Sequence, residues 1–209
     1  MKVSFSALSF LLPAVMLFIG CSTTTESDHM LGETLIVDQS SWSEEQRELD
    51  HDFREYLKSG LLRPGTLAAG GSERLTREAT AKAEAQQELE RRFERLLRNS
   101  DDPEVLAWAN FRVGQLYFDF SCRMANLDTP TNLSEEQQEM YRLSILDLSL
   151  PLATRSVAFF ENAVQTDVEP WTTAGRRLTA ELSRFSEESE EICNSLDEFW
   201  HPAMTRGGI

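Results

Sequence analysis

Apolar residues recur every three to four positions along most of this chain, and the runs they form predict helices. Trp42, Leu49, Phe53, Tyr56 and Leu57 share one helical face, behind a capping-box pattern at Ser43-Glu44-Glu45-Gln46 and ahead of a C-terminal stop at Gly60. The stretch GLLRPGTLAAGG reads as a connecting loop. It lacks a Gly-Lys-Ser/Thr and is not a phosphate-binding loop. A second helix over Ser72 to Asn99 places Leu75, Ala79, Leu89, Phe93, Leu96 and Leu97 on one face. Asp101-Asp102-Pro103 then opens a third helix, to about Met124, with Val105, Trp108, Val113, Leu116, Tyr117 and Phe120 inward. Ser134-Glu135-Glu136-Gln137 caps a fourth, with Tyr141, Ile145 and Leu148 inward. Pro151 restarts or kinks it, and Val157, Phe160, Ala163 and Val164 follow. Glu169-Pro170 opens a last long helix carrying Ala174, Leu178, Leu182, Phe185, Ile192, Leu196 and Phe199. No segment sustains an alternation of period two, so the expected class is all-α, built of antiparallel helical hairpins.

The pattern is different before residue 42. Residues 1–20 carry a single charge, Lys2, and an apolar core, ALSFLLPAVMLFI, that ends at Gly20, which is how an export signal reads. The core is too short for a membrane span and has no basic stop behind it. Leu17-Phe18-Ile19-Gly20-Cys21 resembles the bacterial lipoprotein box, with Phe18 standing where that family usually has Leu. The resemblance implies cleavage after Gly20 and acylation of Cys21 with palmitate-type chains. One chain holds a protein marginally and two or more hold it stably. Ser22 follows the cysteine, where an Asp would act as the inner-membrane retention signal of the enterobacterial pattern, so the resemblance implies the outer membrane, facing the periplasm. The alternative is an ordinary secreted chain whose Cys21 pairs with another thiol. Residues 21–41 then form a polar tether, in which Leu35-Ile36-Val37 adds a short extended piece. Residues 42–200 form the helical body, and 201–209 a loose tail.

The 209 residues carry a net charge of -15, which disfavours nucleic acid and anionic lipid as direct ligands, because both require a Lys/Arg surplus. Hydrophobic residues make up 41% and charged residues 26%, a balance that excludes a wholly disordered chain.

An internal echo refines the helical reading. Phe93-Glu94 recurs at Phe160-Glu161, 67 positions later, and the same offset pairs Pro103 with Pro170, Ala107 with Ala174 and Phe118 with Phe185. Val113-Gly114-Gln115-Leu116-Tyr117 is similar to the first-helix signature of tetratricopeptide repeats. Ser156, Phe160 and Ala163 are similar to the small residue, aromatic and Ala of the second helix. Residues 121–150 intervene where that family has a short turn. The LSEEQ start and the Pro-Leu beginning of the second helix also resemble repeat proteins of myxobacterial gliding and envelope machines. The resemblance covers about residues 79–185 and implies a short solenoid with a concave groove for a partner helix or peptide. Trp108, Phe111, Gln115, Trp171 and Arg177 are the expected groove residues, with plain core as the competing reading for the apolar ones.

Little in the sequence points to catalysis. His29, His51 and His201 lie far apart, and Asp50-His51-Asp52 on a helix points in three directions, so no metal is expected. The paired carboxylates fall at helix starts or on wet faces, no nucleophile motif occurs, and neither an enzyme nor a cofactor is expected. With Cys21 acylated, Cys122 and Cys193 remain, open either to a disulfide or to two buried thiols. The function expected is a non-catalytic scaffold at the envelope that holds an unidentified envelope protein. A spacer between membrane and wall, or a carrier or enzyme with a hidden pocket, are the alternatives.

Overall fold

A computed structural model describes residues 41–59 and 66–200, with side chains described over 41–59 and 71–193. The expected leader, Cys21, the tether, the stop at Gly60 and the tail from residue 201 lie outside the described residues. The described chain is all-α, without a strand. Its helices are α1 (Glu44–Lys58), α2 (Thr66–Asn99), α3 (Pro103–Ala125), α4 (Glu135–Gln165), α5 (Trp171–Leu182) and α6 (Phe185–Trp200).

The caps lie where the sequence puts them. The Ser43 backbone N–H donates to Gln46 Oε1 at 2.8 Å while Ser43 Oγ accepts from the Gln46 N–H at 3.2 Å. Ser134 and Gln137 repeat the arrangement at the start of α4. Asp102 caps α3, with Pro103 in the first turn. The expected loop is already helical from Thr66, and the chain breaks step at Gly71, whose φ of 64° suits a residue without Cβ.

Two boundaries differ from the periodicity. Pro151 neither ends nor restarts a helix, and α4 runs through it for 31 residues. Pro151 is exposed, so the carbonyl that loses its intrahelical donor lies on the watered side of the helix. The expected last helix is divided at Ser183-Arg184 into α5 and α6. Its apolar phase continues unbroken through the division. Tertiary packing sets the break: α6 turns Phe185 onto Phe118 of α3, with ring centroids 6.4 Å apart.

Helix α3 is the axis of the body. From Ala107 to Asp119 every residue but Asn110 is buried, whichever way it points. On one side α1 and α2 close over it through an aromatic cluster of Phe53, Phe93, Trp108 and Trp42. On the other side α4 runs antiparallel to it. Ser121 Oγ donates to the Ser149 carbonyl at 3.0 Å and Ser156 Oγ to the Gly114 carbonyl at 2.8 Å. Here the repeat-signature residues meet. A Cβ on Gly114 would stand 2.7 Å from the buried Phe160 ring, so the approach of α3 and α4 depends on glycine. Gly175 of α5 sits as tightly on Val164 and the Phe160 carbonyl.

Cys122 and Cys193 form a disulfide with Cα atoms 5.2 Å apart, tying α6 to α3 across 71 residues of chain. A loop of that length corresponds to about 4 kcal/mol in the chain-entropy picture.

Two outcomes follow for stability. Gly114→Ala is expected to lose about 1–3 kcal/mol in chemical denaturation, because neither the buried ring nor the helix backbone can yield without repacking. Reduction with a dithiol, or Cys122→Ser, is expected to lose about 2–5 kcal/mol. Unchanged midpoints would show that the contact and the bond contribute nothing.

Candidate functional site

The expected groove residues converge, but in the interior. Trp108 is enclosed by Trp42 and Phe93, at centroid distances of 4.8 and 5.4 Å. Phe111 lies between Phe160 and Trp171, 5.2 Å from each. Gln115 is fully buried and accepts from Arg112 Nη1 at 2.8 Å through Oε1. The α3 segment and the opening of α5 therefore do meet, as the groove reading required. The space between them is filled by their own side chains, so Trp108, Phe111, Gln115 and Trp171 are core residues. Arg177 is half-buried on α5.

Two buried ionic clusters flank that core, and neither was foreseen. In the first, Asp50 of α1 receives Arg112 Nε at 2.9 Å and Nη2 at 2.8 Å, Arg54 at 2.8 Å, and the Trp108 indole N–H at 3.4 Å. Burial alone would raise the Asp50 pKa. Arg112 and Arg54 outweigh it and hold the carboxyl below its ordinary range. The Arg112 guanidinium also lies over the rings of Phe53 and Trp171. In the second cluster, Lys82 of α2 is wholly buried. Its ammonium reaches Asp119 Oδ2 at 2.8 Å, the Tyr56 carbonyl at 2.9 Å and Ser59 Oγ at 3.2 Å, and lies 3.5 Å from the Tyr56 ring centroid. Arg123 closes the set on Asp119 and donates to the Leu57 carbonyl. Burial pushes Lys82 down to about 8, with Asp119 opposing and Arg123 adding to the shift. Burial and the Asp119 carboxylate together raise the Tyr56 hydroxyl well above its ordinary value.

A lysine with a depressed pKa suits nucleophilic or base chemistry where substrate reaches it. Lys82 is sealed from solvent and its ammonium is held by three oxygens, so this cluster joins helices. The signal for it was in the sequence. Lys82 and Gln86 lie in phase with Leu75, Ala79, Leu89 and Phe93, polar residues on the apolar stripe of α2. The Asp50-His51-Asp52 run is dispersed as expected of a helix: Asp50 turns inward, His51 is exposed, and Asp52 binds Arg92.

The surface offers a different feature. Met140, Leu143 and Leu148 are the large hydrophobic residues exposed among the described residues, at 56%, 53% and 60%. All three lie on the first half of α4. Tyr141 and Ile145 are half-buried there as expected, whereas Leu148 faces outward, not inward. The cause is composition. Residues 140–152, MYRLSILDLSLPL, are apolar around most of the helix girth, so periodicity does not say which side packs. By length and composition alone α4 is apolar enough to cross a membrane, a test that a core helix also passes. Its inner side is committed to α3 through Ser149 and Ser156. Exposed Glu135 and Glu139 lie beside the apolar residues, whereas Glu136, one turn from Met140, and Asp147, between Leu143 and Pro151, fall among them on the same side; the one basic residue nearby, Arg142, is paired with Glu139 at 3.1 Å.

Comparison with protein-family models, with curated proteins and with solved structures finds no match to this chain. The functional reading rests on the residues themselves.

Lys82 gives the site's electrostatics a direct check. Its folded pKa lies below the unfolded 10.5, so between pH about 8 and 10.5 the unfolded chain holds the extra proton and stability rises with pH. Against Lys82→Met, which cannot titrate there, the wild type is expected to gain roughly 3 kcal/mol across that window in urea denaturation. A difference that stays flat with pH would contradict the buried, depressed lysine.

Proposed function

We propose that this chain is a lipid-anchored envelope protein whose helical body holds another protein at the membrane without catalysis. The observation that carries the reading is the exposed apolar side of α4, borne by a helix whose opposite side is locked into a rigid core. Large apolar residues exposed together in this way, with polar groups among and beside them, are a form an interaction surface takes.

Three further features support it. The leader and Cys21 resemble the lipoprotein box and imply an acyl anchor, with the chain on the outer membrane and its body in the periplasm. A disulfide between Cys122 and Cys193 suits an oxidising compartment of that kind. The close packing of Gly114 on Phe160, followed by α5 on α4, suits a repeat-like stack of tetratricopeptide type. In this reading the partner meets the outside of α4, and the aromatic region of α3 and α5 supplies rigidity.

The test combines mass spectrometry of the N-terminal peptide with photocrosslinking in cells from position 143 and, as control, from exposed position 161. An acylated Cys21, retention of the apolar leader by Cys21→Ser, and one recurrent envelope protein captured from 143 but not 161 are expected. A free, unacylated N-terminus would sink the anchor. An acylated chain that captures nothing above background from 143 would remove the scaffold reading in favour of a spacer or carrier.

A further inference from the structure

We propose that the outer side of α4 is a docking strip for a cationic amphipathic helix of a partner protein. The proposal deepens the scaffold reading and rests on it for the statement that a partner exists.

The strip has a defined size. Met140, Leu143, Leu148 and Pro151 fall on the outward side of the helix over 12 residues, about 16 Å or three turns. A partner helix of three to four turns matches it, with anchors at its own i, i+3, i+4 and i+7. The strip begins past the end of α3, at Met140 and Leu143, and continues alongside it at Leu148 and Pro151. The 121–149 and 114–156 contacts fix the antiparallel register of α3 and α4, and α3 ends at Ala125. Residues 135–144 of α4 therefore extend past the end of α3, where the connecting residues 126–134 return against them, as the Gln138 side chain on the Leu133 carbonyl shows.

Charge selects the occupant. Glu135, Glu136 and Asp147 are exposed and make no ion pair among the described residues. Exposed Glu44, Glu104 and Glu161 likewise make no ion pair among the described residues, but the carboxylates of α4 are the ones that adjoin exposed apolar residues. A second copy docking by two-fold symmetry would bring together two strips that carry the same acidic excess, on chains of net charge -15. An anionic bilayer is repelled for the same reason. A helix that presents apolar anchors with Lys or Arg set among and beside them satisfies both the strip and its carboxylates. Pairs with the carboxylates would raise the on-rate and choose the partner, while the buried leucines would supply affinity.

The experiment uses the mature chain from position 21 carrying Cys21→Ser, so that neither the apolar leader nor an acyl chain competes for the probe. Three synthetic peptides of about 14 residues are titrated by fluorescence anisotropy at about 0.15 M salt. One is an amphipathic Leu/Lys helix, one its Leu/Glu counterpart, and one the Leu/Lys composition scrambled so that no apolar side forms. Binding of the first alone is expected. The double variant Leu143→Asp, Leu148→Asp should weaken it at least about tenfold although it adds negative charge. The variant Glu136→Lys, Asp147→Lys should weaken the Leu/Lys peptide and admit the Leu/Glu one. Both variants change exposed residues, and their circular dichroism and melting should match the parent. Equal binding of the scrambled peptide, or of the Leu/Lys peptide to the double Asp variant, would reduce the effect to bulk charge and overturn the proposal. So would self-association, or binding to zwitterionic vesicles, that the double Asp variant abolishes. Failure here with an acylated Cys21 removes the docking strip and leaves the anchor. Peptide binding by a chain whose N-terminus proves free does the reverse.

Discussion

A helix enclosed on all sides cannot carry an unpaired charge, and α3 carries Arg112 and Asp119. Each is answered from a different neighbour, Arg112 by Asp50 of α1 and Asp119 by Lys82 of α2. Removing one partner of such a pair leaves a buried ion uncompensated, at a cost of about 3–5 kcal/mol. The two pairs thus fix where α1 and α2 sit along α3, because sliding either helix by a residue separates an acid from its base. The aromatic cluster of Phe53, Phe93 and Trp108 fills the space between them. Apolar packing supplies the bulk of the attraction and the ions supply the register.

The other half of the body is held differently. Small residues and hydroxyls let α4 come close to α3, at Gly114 under Phe160 and at Ser121 and Ser156. Gly175 lets α5 follow, and the Cys122–Cys193 bond secures α6. Once α4 is fixed in this way, its apolar girth exceeds what α3 and α5 cover. The remainder faces water as Met140, Leu143 and Leu148. The surface assigned to a partner is therefore a consequence of how the core is built: a rigid inner side and an unsatisfied outer side on one helix.

Much of this architecture was legible beforehand. Both capping boxes, the Asp102-Pro103 start of α3 and most helix bounds follow from local signals, because caps and prolines act within a few residues. The tight fit at Gly114 was legible from the repeat-like signature around it. The division at Ser183-Arg184 was not, since it reflects Phe185 turning to Phe118, a contact distant in sequence. The candidate surface was misplaced for a physical reason. Trp108, Phe111 and Trp171 are large and clustered, which suits a groove and a core equally, and only packing decides. Leu148 lies in a stretch apolar around its whole girth, where periodicity carries no direction. The buried lysine was the informative anomaly: a charge in phase with Leu89 and Phe93 marks a paired ion in the core.

The central claim is that the outer side of α4 is covered when the protein is at work. Met140, exposed at 56%, reports on it directly, because thioether oxidation follows solvent access. Its rate of conversion to the sulfoxide should be measured by mass spectrometry in intact envelopes and in the purified chain, with the half-buried Met124 as internal reference. The account predicts that Met140 oxidises several-fold more slowly in the envelope while Met124 keeps its rate. Equal rates for Met140 in both settings would mean that nothing docks there, and the proposed role of α4 would fall.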